Sequence, residues 1–298
     1  MNKNPIIKGY YADPDIRYFD GRYYIYPTTD GGMWKGTVFH CFVSENLADW
    51  KDCGVVFDVA RDSKWADDFA WAPTAACKNG RYYLYYCANQ QIGVAVASQP
   101  EGPFQNLSVE EPLLSLSKLE NGVKLSQMID PYFYSDPSGK NYLLFGNGEN
   151  PAIAELEDDM ATLLPGSMRQ IAFIGQADFT EAVMVFYKDG LYHFTWSCGD
   201  TRSENYHVNY GVAESVFGPV KVVGTILEQK PEKGILAPGH HSIVEDPGTG
   251  EYWIAYHRFS TSLPEHVGGE QRGYFRELCL DRLEFDNQGL IVPVCCTP

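Results

Sequence analysis

One hairpin recurs five times along the chain, and that repetition limits the possible folds more than composition does. Its fullest form is Asp130-Pro131-Tyr132-Phe133-Tyr134-Ser135-Asp136-Pro137-Ser138-Gly139-Lys140-Asn141-Tyr142-Leu143-Leu144: a polar residue, a short β-type run, a turn at a glycine and a second run rich in tyrosine. The same device stands at Asp20-Gly21-Arg22-Tyr23, Asn79-Gly80-Arg81-Tyr82, Asp189-Gly190-Leu191-Tyr192 and Thr249-Gly250-Glu251-Tyr252. The turn glycines are 59, 59, 51 and 60 residues apart. Each is expected to supply the positive φ of a two-residue hairpin, and the Tyr, Ile, Phe and Val around it suit a pleated, half-buried surface.

A period of this length, built of short strands and turns, slightly exceeds the roughly 40 to 50 residues of a four-stranded propeller blade and leaves room for loops between blades. Five copies predict an all-β chain folded as a five-bladed β-propeller, one domain over residues 1–298. A second recurring run follows each hairpin and reads as the third strand of its blade: His40-Cys41-Phe42-Val43-Ser44, Gly93-Val94-Ala95-Val96-Ala97, Pro151-Ala152-Ile153-Ala154-Glu155, Gly211-Val212-Ala213-Glu214-Ser215 and Glu277-Leu278-Cys279-Leu280-Asp281.

In a propeller the innermost strands all run the same way along the axis, so the residues that begin them gather at one mouth of the channel. Here those residues are Asp13, the Trp71-Ala72-Pro73 segment, Asp130, Glu181 and His240, each eight to ten residues ahead of its turn glycine. Three carboxylates and a histidine are thus expected to converge from four blades.

Composition narrows the partners. A formal net charge of −16 argues against nucleic acid or an anionic membrane, both of which are held through clustered Lys and Arg. A neutral substrate fits better. No run of 18 apolar residues exists, and the start Met1-Asn2-Lys3-Asn4-Pro5 lacks a signal-peptide core, so a soluble, cytoplasmic protein is expected, or a secreted one if a signal has been removed. The eight cysteines contain no C-x-x-C pair, which argues against a zinc site, and most lie in β-type runs as free thiols.

Each candidate has a structural reading beside its chemical one. Asp13-Pro14 alone would be a turn, and only its place in the repeat makes Asp13 a candidate base; Asp15, two residues on, keeps the same face roughly 7 Å away. Trp34 and Phe39 follow in a glycine-rich stretch and read as a sugar-stacking platform or as blade packing. Trp71 stands where other blades carry an acid, as a pocket wall or a core tryptophan. Apolar neighbours Met128 and Ile129 would partly desolvate Asp130. Glu181, in Thr180-Glu181-Ala182-Val183-Met184, should have a raised pKa, as a general acid near neutral pH requires. Of the adjacent His240 and His241, which must face opposite sides of a strand, position in the repeat favours His240 for the axis. Arg276, set between Phe275 and Leu278, is expected to face a carboxylate or the ligand, since an unpaired buried cation is too unfavourable.

The stretches Ala12-Asp13-Pro14-Asp15, Trp71-Ala72-Pro73, Ile129-Asp130-Pro131, Thr180-Glu181-Ala182, Gly239-His240-His241-Ser242 and Arg276-Glu277-Leu278, in this order and spacing, resemble glycoside hydrolase family 43. The resemblance spans the whole chain. It implies a five-bladed propeller with Asp13 as general base, Asp130 as pKa modulator and orienter, and Glu181 as general acid. It also implies His240 beside a channel cation, usually calcium, no organic cofactor, and Arg276 in contact with substrate.

The expected reaction is inverting hydrolysis of terminal pentose units from oligosaccharides or polysaccharides, α-L-arabinofuranosyl first. The alternatives are a β-xylosidase or bifunctional xylosidase/arabinofuranosidase, then an endo-arabinanase, then a non-catalytic carbohydrate-binding propeller. An inverting pair needs carboxyl groups roughly 6.5 to 9.5 Å apart to admit a water, and residues on separate blades can provide that gap.

Overall fold

The computed structural model describes residues 3–298 and is a five-bladed β-propeller. Blade one is β1 (Tyr11–Phe19), β2 (Arg22–Thr29), β3 (Val38–Ser44) and β4 (Lys51–Asp58); a single helical turn, α1 (Val59–Asp62), follows. Blade two is β5 (Trp71–Lys78), β6 (Arg81–Ala88), β7 (Gln91–Ala97) and β8 (Gln105–Asn106). Blade three is β9 (Tyr132–Ser135), β10 (Asn141–Phe145), β11 (Ala152–Leu156) and β12 (Arg169–Gln170). Blade four adds β13 (Phe173–Ile174), parallel to its outer strand, to the antiparallel β14 (Glu181–Lys188), β15 (Leu191–Cys198), β16 (His207–Ala213) and β17 (Val220–Leu227).

Blade five has three strands, β18 (Gly239–Glu245), β19 (Tyr252–Phe259) and β20 (Arg276–Leu283), rather than four. The chain's first residues run alongside it: Ile6 N–H donates to Leu278 O at 2.9 Å, and Leu280 N–H donates to Asn4 Oδ1 at 2.9 Å. The Asn4 amide also reaches Thr297 Oγ1 at 2.9 Å, so the two ends of the chain meet on the last blade and close the ring.

The turn glycines divide by loop length. Gly21, Gly80 and Gly190 follow Asp20, Asn79 and Asp189, which also have positive φ, and Phe19–Arg22, Lys78–Arg81 and Lys188–Leu191 pair across them as two-residue hairpins. Gly139 and Gly250 sit in longer loops instead, between the paired residues Ser135–Asn141 and Glu245–Tyr252. Asp136 and Asp246 cap those loops: Oδ1 of Asp136 accepts the Ser138 N–H at 2.8 Å, and Oδ1 of Asp246 accepts that of Gly248 at 2.8 Å.

Hydrophobic cores fill the spaces between blades. Tyr24, Phe39, Phe57 and Leu84 pack blade one on blade two, Tyr85, Phe133 and Phe145 pack two on three, and Ile16, Ile25, Val244 and Leu280 pack five on one. The largest cluster, around Trp196, joins blades three, four and five. The eight cysteines are all free thiols.

At the axial end, the inner strand of each blade carries a left-handed residue: Asp13, Ala72, Asp130, Ala182 and His240, with φ of 50°, 41°, 56°, 56° and 37°. In four blades the pairing register slips at that point. Such conformations are costly for residues with a Cβ and cluster where function sets the geometry. All five positions line the axial cavity. Glu181 is one residue out of step with Asp13: Glu181 and Trp71 both stand just before their blade's bulge.

Candidate active site

Asp13, Asp130, Glu181 and His240 meet at the axial mouth, as their place in the repeat predicts, in a pocket of about 590 Å³ that also includes Trp34, Trp71 and Arg276. A cavity of similar size, about 600 Å³, lies at the outer edge near Leu113 and Leu163, so size alone does not mark the site. What marks it is a set of buried carboxyl groups held in opposed environments.

Asp13 gathers its partners on one oxygen. Arg276 Nη1 lies 2.9 Å from Oδ1, His257 Nδ1 3.0 Å and His240 Nδ1 3.3 Å. Burial would push this carboxyl up, but Arg276, then His240 and His257, outweigh it and hold Asp13 well below the usual carboxylate range. His257 is fully buried, and burial reinforced by Arg276 pushes its imidazole down to about 4. It is therefore neutral, and its Nδ1 accepts the Asp13 backbone N–H at 3.2 Å, which puts the ring proton on Nε2. Nε2 then donates to Thr201 Oγ1 at 3.4 Å.

Glu181 is set the other way. Burial raises its pKa; the hydrogen bonds from Tyr206 Oη to Oε1 (2.8 Å) and from Asn147 Nδ2 to Oε2 (3.2 Å) oppose that, and the nearby Asp13 charge adds to it. Asp130 is raised well above the usual range by burial, by Glu181 and by Asp13, and its Oδ2 is buried without a hydrogen-bond partner. One carboxyl is thus held below the usual range and two are pushed above it, the opposed shifts that acid–base chemistry uses.

The pocket wall is aromatic. Phe69 and Trp71 meet edge to face at 5.1 Å, and Trp34 and Trp71 at 6.2 Å. Trp71 Nε1 donates to Trp34 O at 2.7 Å, and Trp34 Nε1 to Gly273 O at 3.1 Å, tying three blades together around the opening. Phe39 is not part of this wall. It belongs to β3, is fully buried and packs against Tyr86 at 6.0 Å in the core between blades one and two, because strand alternation turns it away from the axis. Asp15, the local competitor of Asp13, is engaged structurally by the Arg17 guanidinium at 2.8 Å and the Ala75 N–H at 2.7 Å.

Three residues that sequence reasoning passed over complete the site. Asp30 forks the Arg276 guanidinium, at 2.7 Å from Nε and 3.0 Å from Nη2. Tyr206 was one of 20 tyrosines with nothing to distinguish it. His257 left a weak signal: with Arg258 it breaks off the apolar run Trp253-Ile254-Ala255-Tyr256.

Asp130, Glu181 and His240 each offer one ligand atom within 4.8 Å of the others, above an axial cavity of about 20 Å³ with room for a single small occupant. Calcium takes roughly six to eight oxygens. Both Glu181 oxygens already accept hydrogen bonds, which leaves Asp130 Oδ2 and His240 as the unspent donors, so the set suits only an ion that keeps most of its ligands as water.

A propeller whose axial mouth gathers buried carboxyl groups with opposed shifts beneath an aromatic wall suits a carbohydrate-cleaving enzyme. The chain belongs to the glycosyl hydrolases family 43, whose sequence profile matches residues 2–291. It is 30% identical to a β-D-galactofuranosidase of Aspergillus niger over 99% of this chain and 85% of that one. It is also 30% identical to xylosidase/arabinosidase 43A of Humicola insolens over 97% and 98%. Among solved structures it resembles a thermostable family-43 glycoside hydrolase (TM-score 0.81, 25% identity, 100% and 96% covered). It likewise resembles the calcium-free form of CoXyl43, a β-xylosidase/α-arabinofuranosidase from a compost metagenome in complex with xylotriose (TM-score 0.78, 28% identity, 98% and 96% covered). The protein is a glycoside hydrolase.

Proposed function

We propose that this glycosidase acts on chain ends by inversion and releases terminal pentosyl units, α-L-arabinofuranosyl first and β-xylosyl next. The observation that carries the reading is the opposition of Asp13 and Glu181 in one pocket, the first held ionised by Arg276 and two histidines, the second pushed toward its protonated form. Glu181 gives its proton to the glycosidic oxygen as the C–O bond breaks. Asp13 takes a proton from the water that attacks the anomeric carbon from the opposite face. The sugar leaves with inverted configuration, and the aglycone leaves as an alcohol. Asp130 is the modulator of that proton: negative charge on it opposes ionisation of Glu181, and so favours the protonated acid. If a cation is bound, His240 and Asp130 are its protein neighbours, and it supplies positive potential beneath the base.

The names of the relatives favour arabinosides and xylosides, and one favours β-D-galactofuranosides. An α-L-arabinofuranoside and a β-D-galactofuranoside share ring stereochemistry and differ by one exocyclic hydroxymethyl group, so one furanose pocket could take either. The test is a panel of aryl glycosides (α-L-arabinofuranoside, β-D-xyloside, β-D-galactofuranoside), with the first-formed anomer read by NMR. Turnover fastest on the arabinoside with the inverted anomer supports the proposal. A retained anomer, or internal cleavage of arabinan to oligosaccharides, would overturn it.

A further inference from the structure

We infer that Asp30 is a positioning residue for the base: it clamps the Arg276 guanidinium so that only Nη1 reaches Asp13, and Asp13 Oδ2 stays open to the attacking water. The inference rests on reading Asp13 as the base. The Asp30 side chain is fully enclosed, and its backbone is pinned on both sides: its N–H donates to Tyr10 O at 3.0 Å and the following Gly31 N–H to Tyr274 O at 2.8 Å. Its carboxylate takes Arg276 Nε on Oδ2 at 2.7 Å and Nη2 on Oδ1 at 3.0 Å, and Oδ2 also accepts the Arg276 backbone N–H at 3.1 Å. Nη1 is left to donate to Asp13 Oδ1 at 2.9 Å, with Thr201 Oγ1 at 3.5 Å.

The clamp matters because a guanidinium prefers to pair with a carboxylate through two parallel N–H groups. Free to rotate, Arg276 would form that pair with Asp13 and cover both of its oxygens. Asp30 already occupies the forked edge. His257 and His240 also face Oδ1, while Oδ2 has no hydrogen-bond partner among the described residues and is not sealed off as Asp130 Oδ2 is. Asp13 therefore keeps one oxygen tied to three cationic or polar groups and one oxygen toward the pocket. The Asp30 side chain is enclosed and does not line the pocket, so it acts through Arg276.

The test is a cycle of D30N, R276M and the double variant, with D30E and D13N alongside, followed by kcat, KM and Tm on the best aryl glycoside of the panel. D30N is expected to lower kcat about 100-fold with KM changed less than about threefold, the scale of loss for a misplaced catalytic group. Adding D30N to R276M is expected to change kcat less than about twofold, because no guanidinium remains to be held. Equal losses from D30N in both backgrounds, tracking Tm, would reduce Asp30 to a structural role and overturn the inference. Should D30N not fold, D30E carries the test. Its longer carboxylate keeps the charge but pushes Arg276 toward Asp13, so folded D30E should lose at least about tenfold in kcat, and wild-type kcat would overturn the inference. The D13N control separates the two claims: an active D13N removes the base assignment itself, whereas an inactive D13N with wild-type D30N removes only the clamp.

Discussion

Tyr206 lies flat against His257, with ring centroids 5.7 Å apart and planes 2° apart. The phenol of that pair holds Glu181 and the imidazole holds Asp13. The proposed acid and base sit on different blades, yet one stacked pair of rings contacts both. Gly239 presses on the same tyrosine so closely that a Cβ there would fall 2.2 Å from its ring, which accounts for a glycine just before the His240 bulge.

Replacing Glu181 by Gln should lower kcat on natural glycosides by about 10³-fold, near the middle of the range for a general acid, because an amide cannot protonate the leaving oxygen. Aryl substrates with acidic leaving groups need no proton and should lose far less. Measuring both substrate types on one preparation checks this, and an equal loss on both would mean that Glu181 is not the acid.

Much of this site could be read from the chain because it lies on the repeat. Asp13, Asp130 and His240 share one left-handed position at the axial end of their blades, so counting back from the turn glycines finds them directly. Glu181, one residue earlier, was still within the span that such counting allows. The partners were harder to see, since Asp30, Tyr206 and His257 come from a strand end, a loop and a second strand that nothing in the repeat aligns. Phe39 went astray for a related reason. The glycines near it suggested a loop, whereas Val38–Ser44 is a strand whose alternation buries that ring.

That correction is testable. Phe39→Ala should destabilise the fold by about 3 to 5 kcal/mol, the range for removing a buried phenylalanine, while KM stays near wild type in the protein that remains folded. Trp34→Ala should do the reverse, raising KM with a smaller effect on melting, because Trp34 lines the pocket and has the Arg276 guanidinium 5.8 Å from its ring. Thermal melts paired with Michaelis curves distinguish the two. A large KM effect at Phe39 would return it to the substrate contacts.

Tyr206→Phe addresses the pH profile. The acid works only while protonated, so activity falls as pH rises through its pKa, and the base works only while ionised, so activity falls as pH drops through the depressed pKa of Asp13. The Tyr206 hydrogen bond stabilises the ionised form of Glu181 and holds down a pKa that burial has raised. Its loss should move the alkaline limb of kcat/KM to higher pH and leave the acid limb in place. A shift of that limb to lower pH would contradict the assigned role of the hydroxyl.

The axial cation is tested by removal. His240 is buried, and burial pushes its imidazole down while Asp13 pulls it back up. Asp130 Oδ2 is buried with no hydrogen-bond partner among the described residues, and His240 Nδ1 lies 3.9 Å from it, too far for a hydrogen bond. An ion holding most of its ligands as water would satisfy that oxygen and add positive potential beneath the base, without being needed for the fold. Exhaustive chelation should therefore lower Tm or kcat modestly, with recovery on adding calcium, and His240→Ala should abolish the response to calcium. If melting and turnover are both unchanged after chelation, and added calcium does nothing, then His240 acts without a metal, as a hydrogen-bonding neighbour of Asp13.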